Sequence, residues 1–205
     1  MSLPFETKDT KRAIIFIGIQ ASGKSTFYNE MLAPLGYCHI NLDTLHTRSK
    51  EHALLENYLN EGKSFVIDNT NPEIADRLRY IPLVKTHGYE VIGIFFQSIV
   101  RDCIARNENR QNAVPRQAIP STQNKLQLPS YSEGFDKLFF ARIADNGFEI
   151  TDWNVCARRE QKPSLLGLCR AAANFRASER NRACSYCRAQ PKMSRNFRAS
   201  ERNRA

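Results

Sequence analysis

Apolar residues fall along this chain in six short stretches separated by segments of helical periodicity. The first stretch, Ala13-Ile14-Ile15-Phe16-Ile17, is unbroken and predicts a buried strand over 12–17. From Lys24, residues Phe27, Tyr28, Met31, Leu32 and Leu35 recur at helical spacing. They predict a helix to about Ala33, with that face on the sheet and Pro34 and Gly36 as its stop. Tyr37 to Asp43 reads as a second strand, with Cys38, Ile40 and Leu42 alternating with His39, Asn41 and Asp43. That puts Asp43 at the strand's C-terminal end. A helix follows with Leu54, Leu55, Tyr58 and Leu59 as its stripe and Gly62 as its stop. A third strand, Ser64 to Asp68, carries Phe65-Val66-Ile67 into Asp68.

Asn69-Thr70-Asn71-Pro72 predicts a turn, with Asn71 as N-cap and Pro72 at the first position of the next helix. That helix buries Ile74, Leu78, Ile81 and Val84, is kinked by Pro82, and stops at Gly88. Glu90 to Gln97 is a fourth strand. Ser98 caps a helix that turns Val100, Cys103 and Ile104 inward. Arg106 and Arg110, four apart, share a face if that helix continues. Pro115, Pro120 and Pro129 break up the helical stretch after it. Residues 138–143 and 148–153 form a hairpin around Asn146-Gly147. Strand alternating with helix predicts an α/β fold, a parallel sheet covered by helices on both faces.

Charge divides the chain in two. The formal net charge is +9, but residues 1–155 hold 17 Lys/Arg and 18 Asp/Glu, a balance of −1. Residues 156–205 hold 13 Lys/Arg and 3 Asp/Glu, a balance of +10. The decapeptide NFRASERNRA occurs at 174–183 and again at 196–205. Basic and poor in apolar residues, 156–205 is expected to be a disordered tail behind a domain of residues 1–155. Three readings stay open for it: a basic arm for nucleic acid, a zinc site from Cys184 and Cys187 with Cys156 and Cys169, or a non-native extension. Met1 to Thr10 is polar and no apolar stretch reaches spanning length, so no membrane association and a cytoplasmic location are expected.

Gly18-Ile19-Gln20-Ala21-Ser22-Gly23-Lys24-Ser25 fits G-x-x-x-x-G-K-[ST], between the first strand and the first helix. Glycines in such a loop let backbone N–H groups converge on a phosphate, and the helix adds its positive end. Gly18, Ala21, Ser22, Gly23, Lys24, Ser25 and Thr26 are therefore the expected nucleotide contacts. Lys24 would reach the outer phosphates, and Ser25 would hold Mg²⁺ with Asp68, an aspartate ending an apolar strand. Asp43, at the same sheet edge, suits a base toward an acceptor hydroxyl, or a cap for the helix after it. Arg106 and Arg110 suit a lid over the phosphates, or a solvated helix face.

These residues together resemble the kinase domain of the polynucleotide 5′-hydroxyl kinases, phage and animal, within the P-loop kinases. The resemblance lies in 18–26, in Asn41-Leu42-Asp43-Thr44-Leu45, and in Ile67-Asp68-Asn69-Thr70-Asn71-Pro72. It extends through Arg77 to Tyr80, Gly88-Tyr89, Arg106 to Arg110, Ala113-Val114-Pro115, Leu128-Pro129 and Glu133 to Asp136. It covers roughly 11–153. It implies a P-loop NTPase fold with a nucleotide-kinase-like sheet order, ATP and Mg²⁺ as cofactors, Asp43 as general base, and Arg106 and Arg110 on the nucleotide phosphates. Lys24, Asp43, Arg106 and Arg110 are then the catalytic set. Where the family has arginine before the base, this chain has Leu42. Where phage enzymes have a second arginine three residues after the base, it has His46, with Arg48 nearby. No phosphatase segment accompanies the kinase residues, so both activities in one chain are not expected.

The expected activity is transfer of the γ-phosphoryl of ATP to a hydroxyl, with 5′-hydroxyl RNA or DNA ends as the partner implied by the resemblance. A kinase for a small metabolite or nucleoside, and a non-catalytic ATP-binding regulator, remain alternatives.

Overall fold

The computed structural model describes residues 3–5 and 10–153; the predicted tail, its zinc cysteines and the duplicated decapeptide lie outside the described residues. Six strands form one sheet: β1 (Arg12–Ile17), β2 (Cys38–Ile40), β3 (Phe65–Ile67), β4 (Glu90–Phe96), β5 (Lys137–Ala144) and β6 (Gly147–Asp152). Their order is β2-β3-β1-β4-β5-β6. The first five pair in parallel, and β6 returns antiparallel on β5. The helices are α1 (Lys24–Phe27), α2 (Leu42–Leu45), α3 (Arg48–Glu61), α4 (Ile74–Leu78), α5 (Ile81–Thr86), α6 (Val100–Glu108) and α7 (Ala118–Lys125).

Side chains alternate across a strand, so the apolar runs of β1 and β4 feed two cores. Ile15, Ile17, Ile67, Val91 and Phe95 face one side, with Leu55 and Leu59 of α3, Ile81 and Val84 of α5, Cys103 of α6 and Ile119 of α7. Ile14, Phe16, Val66, Ile92, Ile94 and Phe96 face the other, with Phe27 of α1, Leu32, Phe5 and Phe148. The parallel α/β layering with helices on both faces is as the apolar pattern predicts.

Several local expectations are corrected. The helix after the glycine loop is α-helical only to Phe27; Tyr28–Leu32 is π-helical and Ala33–Leu35 is a 3-10 turn, with Leu35 exposed. The second strand ends at Ile40, and Asp43 lies in the single turn of α2, because Asn41 leaves the sheet to cap that turn. Asn71 caps nothing: its backbone is left-handed (φ 42) and its buried amide donates to Phe16 O at 2.8 Å. Glu73 caps α4 instead, with Asp76 reciprocating. The chain breaks between α4 and α5 rather than bending, and Pro82 occupies the first turn of α5, where its missing N–H is not needed. Ile74 and Leu78 are exposed, since the short α4 packs through Arg77. Pro120 is likewise accommodated in the first turn of α7. In the hairpin, Asp145 and Asn146 are the central pair, and Gly147 (φ 108) pairs with Ala144.

A buried ion pair holds the turn after β3. Arg77 is fully buried, with Nε donating to Glu133 Oε2 at 2.6 Å and Nη2 to Oε1 at 3.0 Å. Its Nη1 donates to the carbonyls of Asn71, Pro72 and Gln127 at 3.1, 3.1 and 3.2 Å. One guanidinium thus ties the Asn71-Pro72 turn to the loop before β5.

Candidate active site

The glycine loop leaves β1 at the C-terminal edge of the parallel strands, where open α/β sheets take their ligands. Its curl is anchored from both sides: Gly18 N–H donates to Thr70 O at 3.0 Å, and Ile19 N–H to Ser98 Oγ at 3.2 Å. Ser98 therefore braces the loop and does not cap α6, whose N-cap is Ile99. Gly23 is left-handed (φ 99), and a Cβ there would lie 3.0 Å from Ile143 and 3.1 Å from Phe148. The β5–β6 hairpin thus seals one side of the loop. From α7, Thr122 Oγ1 accepts from the Gln20 side chain at 3.0 Å.

Lys24 is folded into this cradle. Its ammonium donates to Gly18 O at 3.0 Å, Ile19 O at 2.6 Å and Ser22 Oγ at 3.3 Å. Burial lowers its pKa to about 8, against the raising influence of Asp68. Ser22 is buried beside the ammonium, while Thr26 is exposed in the first turn of α1.

Asp68, just past β3, is the polar centre. Its Oδ2 accepts from Ser25 Oγ at 2.7 Å and Asn41 Nδ2 at 3.3 Å, and lies 3.1 Å from His39 Nε2. Burial opposes ionisation of Asp68, but His39, Lys24 and Ser25 outweigh it and hold the carboxyl below its ordinary range. An ionised carboxylate only accepts, so His39 Nε2 is the donor to it. The His39 ring stacks on Tyr28, with centroids 3.9 Å apart and planes within 8°. Ser25 and Asp68 are hard oxygen donors, a pair that fits Mg²⁺, an ion that keeps most of its waters and takes one or two protein ligands.

Asp43 is exposed on α2. Asn41 caps that turn through Oδ1, which accepts from Asp43 N–H at 2.8 Å, so Asp43 is not itself the cap. Asp43 and Arg110 both act on the Lys24 ammonium, Asp43 favouring its charge and Arg110 opposing it. The two arginines differ. Arg106 is half-buried, with Nε donating to Ala21 O at 2.8 Å in the glycine loop. Arg110 lies beyond Asn109, the C-cap of α6, and is exposed, so the pair does not share a helix face.

The structure thus gathers Lys24, Ser25, Asp68, Asp43, Arg106 and Arg110 at one sheet edge. It adds residues that sequence reading did not place there: His39 and Asn41 on Asp68, Ser98 and Thr70 under the loop, and Asn69 on α2. The signal for His39 and Asn41 was their alternation in the second strand, on the polar side that also carries Asp43. Chemically, the edge combines a loop whose backbone N–H groups suit an anion, an oxygen pair of the kind that suits a hard cation, and an exposed carboxylate.

The family described as an AAA domain matches residues 50–129. The chain is 33% identical over 136 residues to a putative bifunctional polynucleotide phosphatase/kinase of Acanthamoeba polyphaga mimivirus, covering 62% of this chain and 32% of that protein. It is 31% identical over 138 residues to a bifunctional polynucleotide phosphatase/kinase of Schizosaccharomyces pombe, covering 64% of this chain and 33% of that protein. It thus spans about a third of the length of these relatives. The fold is similar to that of Chaetomium thermophilum Kti12, solved with ADP-AlF3, with a TM-score of 0.53 at 18% identity over 65% of this chain and 90% of that one. The likeness to Kti12 is one of fold, and the likeness to the two phosphatase/kinases is one of sequence.

Proposed function

We propose that this chain is an ATP-dependent kinase that moves the γ-phosphoryl group onto the 5′-hydroxyl of a polynucleotide. The observation carrying the reading is the glycine loop with Lys24 folded into it and Ser25 Oγ on Asp68 Oδ2 at 2.7 Å, parts that phosphoryl transfer needs, with an exposed Asp43 in the turn just after β2. The polynucleotide acceptor is supported by the similarity to the two phosphatase/kinases.

The phosphates of ATP lie on the N–H groups of residues 18–25, and Lys24 leaves the Gly18 and Ile19 carbonyls to meet them. Ser25 and Asp68 would hold Mg²⁺, which when bound would supply positive charge against the phosphates. Arg106, already on Ala21 O, and Arg110 close over the nucleotide. Asp43 accepts the proton of the acceptor hydroxyl as its oxygen bonds to the γ-phosphorus. The bond to the bridging oxygen breaks, ADP leaves, and Asp43 releases its proton to water.

The test is transfer of labelled γ-phosphate to 5′-hydroxyl RNA and DNA oligonucleotides, beside a panel of nucleosides and sugars. The expected result is a labelled oligonucleotide with wild type. Asp43→Asn should lower turnover at least about 100-fold and change nucleotide affinity less than about twofold. Label on a small molecule alone would overturn the acceptor. Full activity in Asp43→Asn would overturn its role as base.

A further inference from the structure

The turn that carries Asp43 is too short to hold itself in place. α2 has four residues, and an isolated helical turn has no stability of its own in water. Its position must come from groups outside it, and the structure shows which. The orphan N–H of Leu42, first residue of the turn, donates to Asn69 Oδ1 at 3.0 Å. Asn69 follows Asp68 directly, so the group that fixes α2 belongs to the segment that carries the metal-site carboxylate.

An asparagine amide can present oxygen or nitrogen to that N–H; something must choose. Here Asn69 Nδ2 donates to Glu51 Oε1 at 2.6 Å and to the Tyr80 hydroxyl at 3.2 Å. The same Glu51 oxygen accepts from Tyr80 OH at 3.0 Å, and Glu51 Oε2 accepts from Arg48 Nη1 at 2.7 Å. Arg48 Nη1 also donates to Tyr80 OH at 2.8 Å. Glu51 is 3% exposed, a buried carboxylate whose two oxygens take three donors. Because a carboxylate only accepts, it forces Asn69 Nδ2 toward itself and Oδ1 toward Leu42.

We infer that Glu51 and Asn69 are positioning residues for the general base: Glu51 sets the Asn69 amide, Asn69 holds Leu42 N–H, and Asp43 is thereby aimed at the acceptor. This rests on the reading of Asp43 as the base. The relay also makes base and metal site one unit, since a shift of the Asp68-Asn69 segment carries both.

Leu42→Pro tests the relay with least disturbance. It removes the one N–H that Asn69 accepts, at a first helical position where proline is tolerated, after Asn41, whose extended backbone (φ −131, ψ 120) suits a residue before proline. Glu51→Gln and Asn69→Ala break the other links. Each single variant should lower kcat roughly 10- to 100-fold while the KM for ATP stays within about twofold. Leu42→Pro with Asn69→Ala should be no worse than either alone, since both cut one bond. Amide exchange gives a readout independent of activity: the Leu42 and Asp43 N–H groups should lose protection in Glu51→Gln. Should Glu51→Gln fail to fold, Leu42→Pro and Asn69→Ala carry the test, with Asp43 exchange as their readout. Wild-type kcat in the folded variants, or multiplicative losses in the double variant, would overturn the relay. If Asp43→Asn keeps full activity, the base reading fails instead, and the exchange data alone decide whether Glu51 sets α2.

Discussion

Raising the pH should weaken nucleotide binding through Lys24, and the size follows from its surroundings. In the nucleotide-free chain burial lowers its pKa to about 8, with the ammonium on two loop carbonyls. Bound phosphates stabilise the charged form and raise the pKa again, so above about 8 binding must take up a proton. If only the protonated form binds well, affinity is halved at about pH 8 and falls about elevenfold by pH 9. At pH 9 close to one proton should be absorbed per nucleotide bound, about 0.9. Titration calorimetry of ATP binding in two buffers of different ionisation enthalpy measures that uptake directly. Stability has its own sign. A cation whose folded pKa is depressed penalises folding below about 8, and the penalty fades as pH rises from there through the ordinary 10.5. Lys24→Met should remove both effects. Nucleotide affinity flat from pH 7 to 9, with no proton uptake, would refute the reasoning.

Arg77→Met should destabilise the fold by about 3–5 kcal/mol in urea unfolding, because Glu133 is left charged and unpaired in the interior; a loss below about 1 kcal/mol would show the pair to be dispensable. Gly23→Ala should lower ligand-free stability by about 1–3 kcal/mol, since φ 99 suits only glycine and the new Cβ meets Ile143 and Phe148. Calorimetry should show ATP affinity falling in the same variant; unchanged melting and affinity would mean the hairpin yields freely.

The architecture was largely legible because its signals are local. β1, the glycine loop and α1 follow from one apolar run and one motif, and β3 leading into Asp68 follows from three apolar residues and an aspartate. The contacts that position the site were not legible, because they join residues distant in sequence. Nothing in the helical pattern of 73–84 says that Arg77 turns inward, since Glu133 lies 56 residues away. That inward turn is what leaves Ile74 and Leu78 outside. Glu51 looks like a solvated residue on α3 until Asn69 and Tyr80 are brought to it. Residue type alone makes caps of Asn71 and Ser98, whereas each answers a backbone group of β1 or the loop after it. Thr47, by contrast, does cap α3, where the partner N–H of Lys50 is three residues away.

The strand order has a consequence for how the chain assembles. β1 is made first, yet it pairs with β3 and β4 and is apolar on both faces. Until synthesis reaches Phe96, one edge of β1 has nothing to bond, and until Phe65–Ile67 emerges neither edge does. During translation the stretch Ala13–Ile17 is therefore a bare, sticky segment awaiting partners roughly 50 and 80 residues later, the kind of exposure that slows folding and invites aggregation. The strand that ends at the nucleotide loop is thus also the segment most in need of a chaperone before the sheet closes.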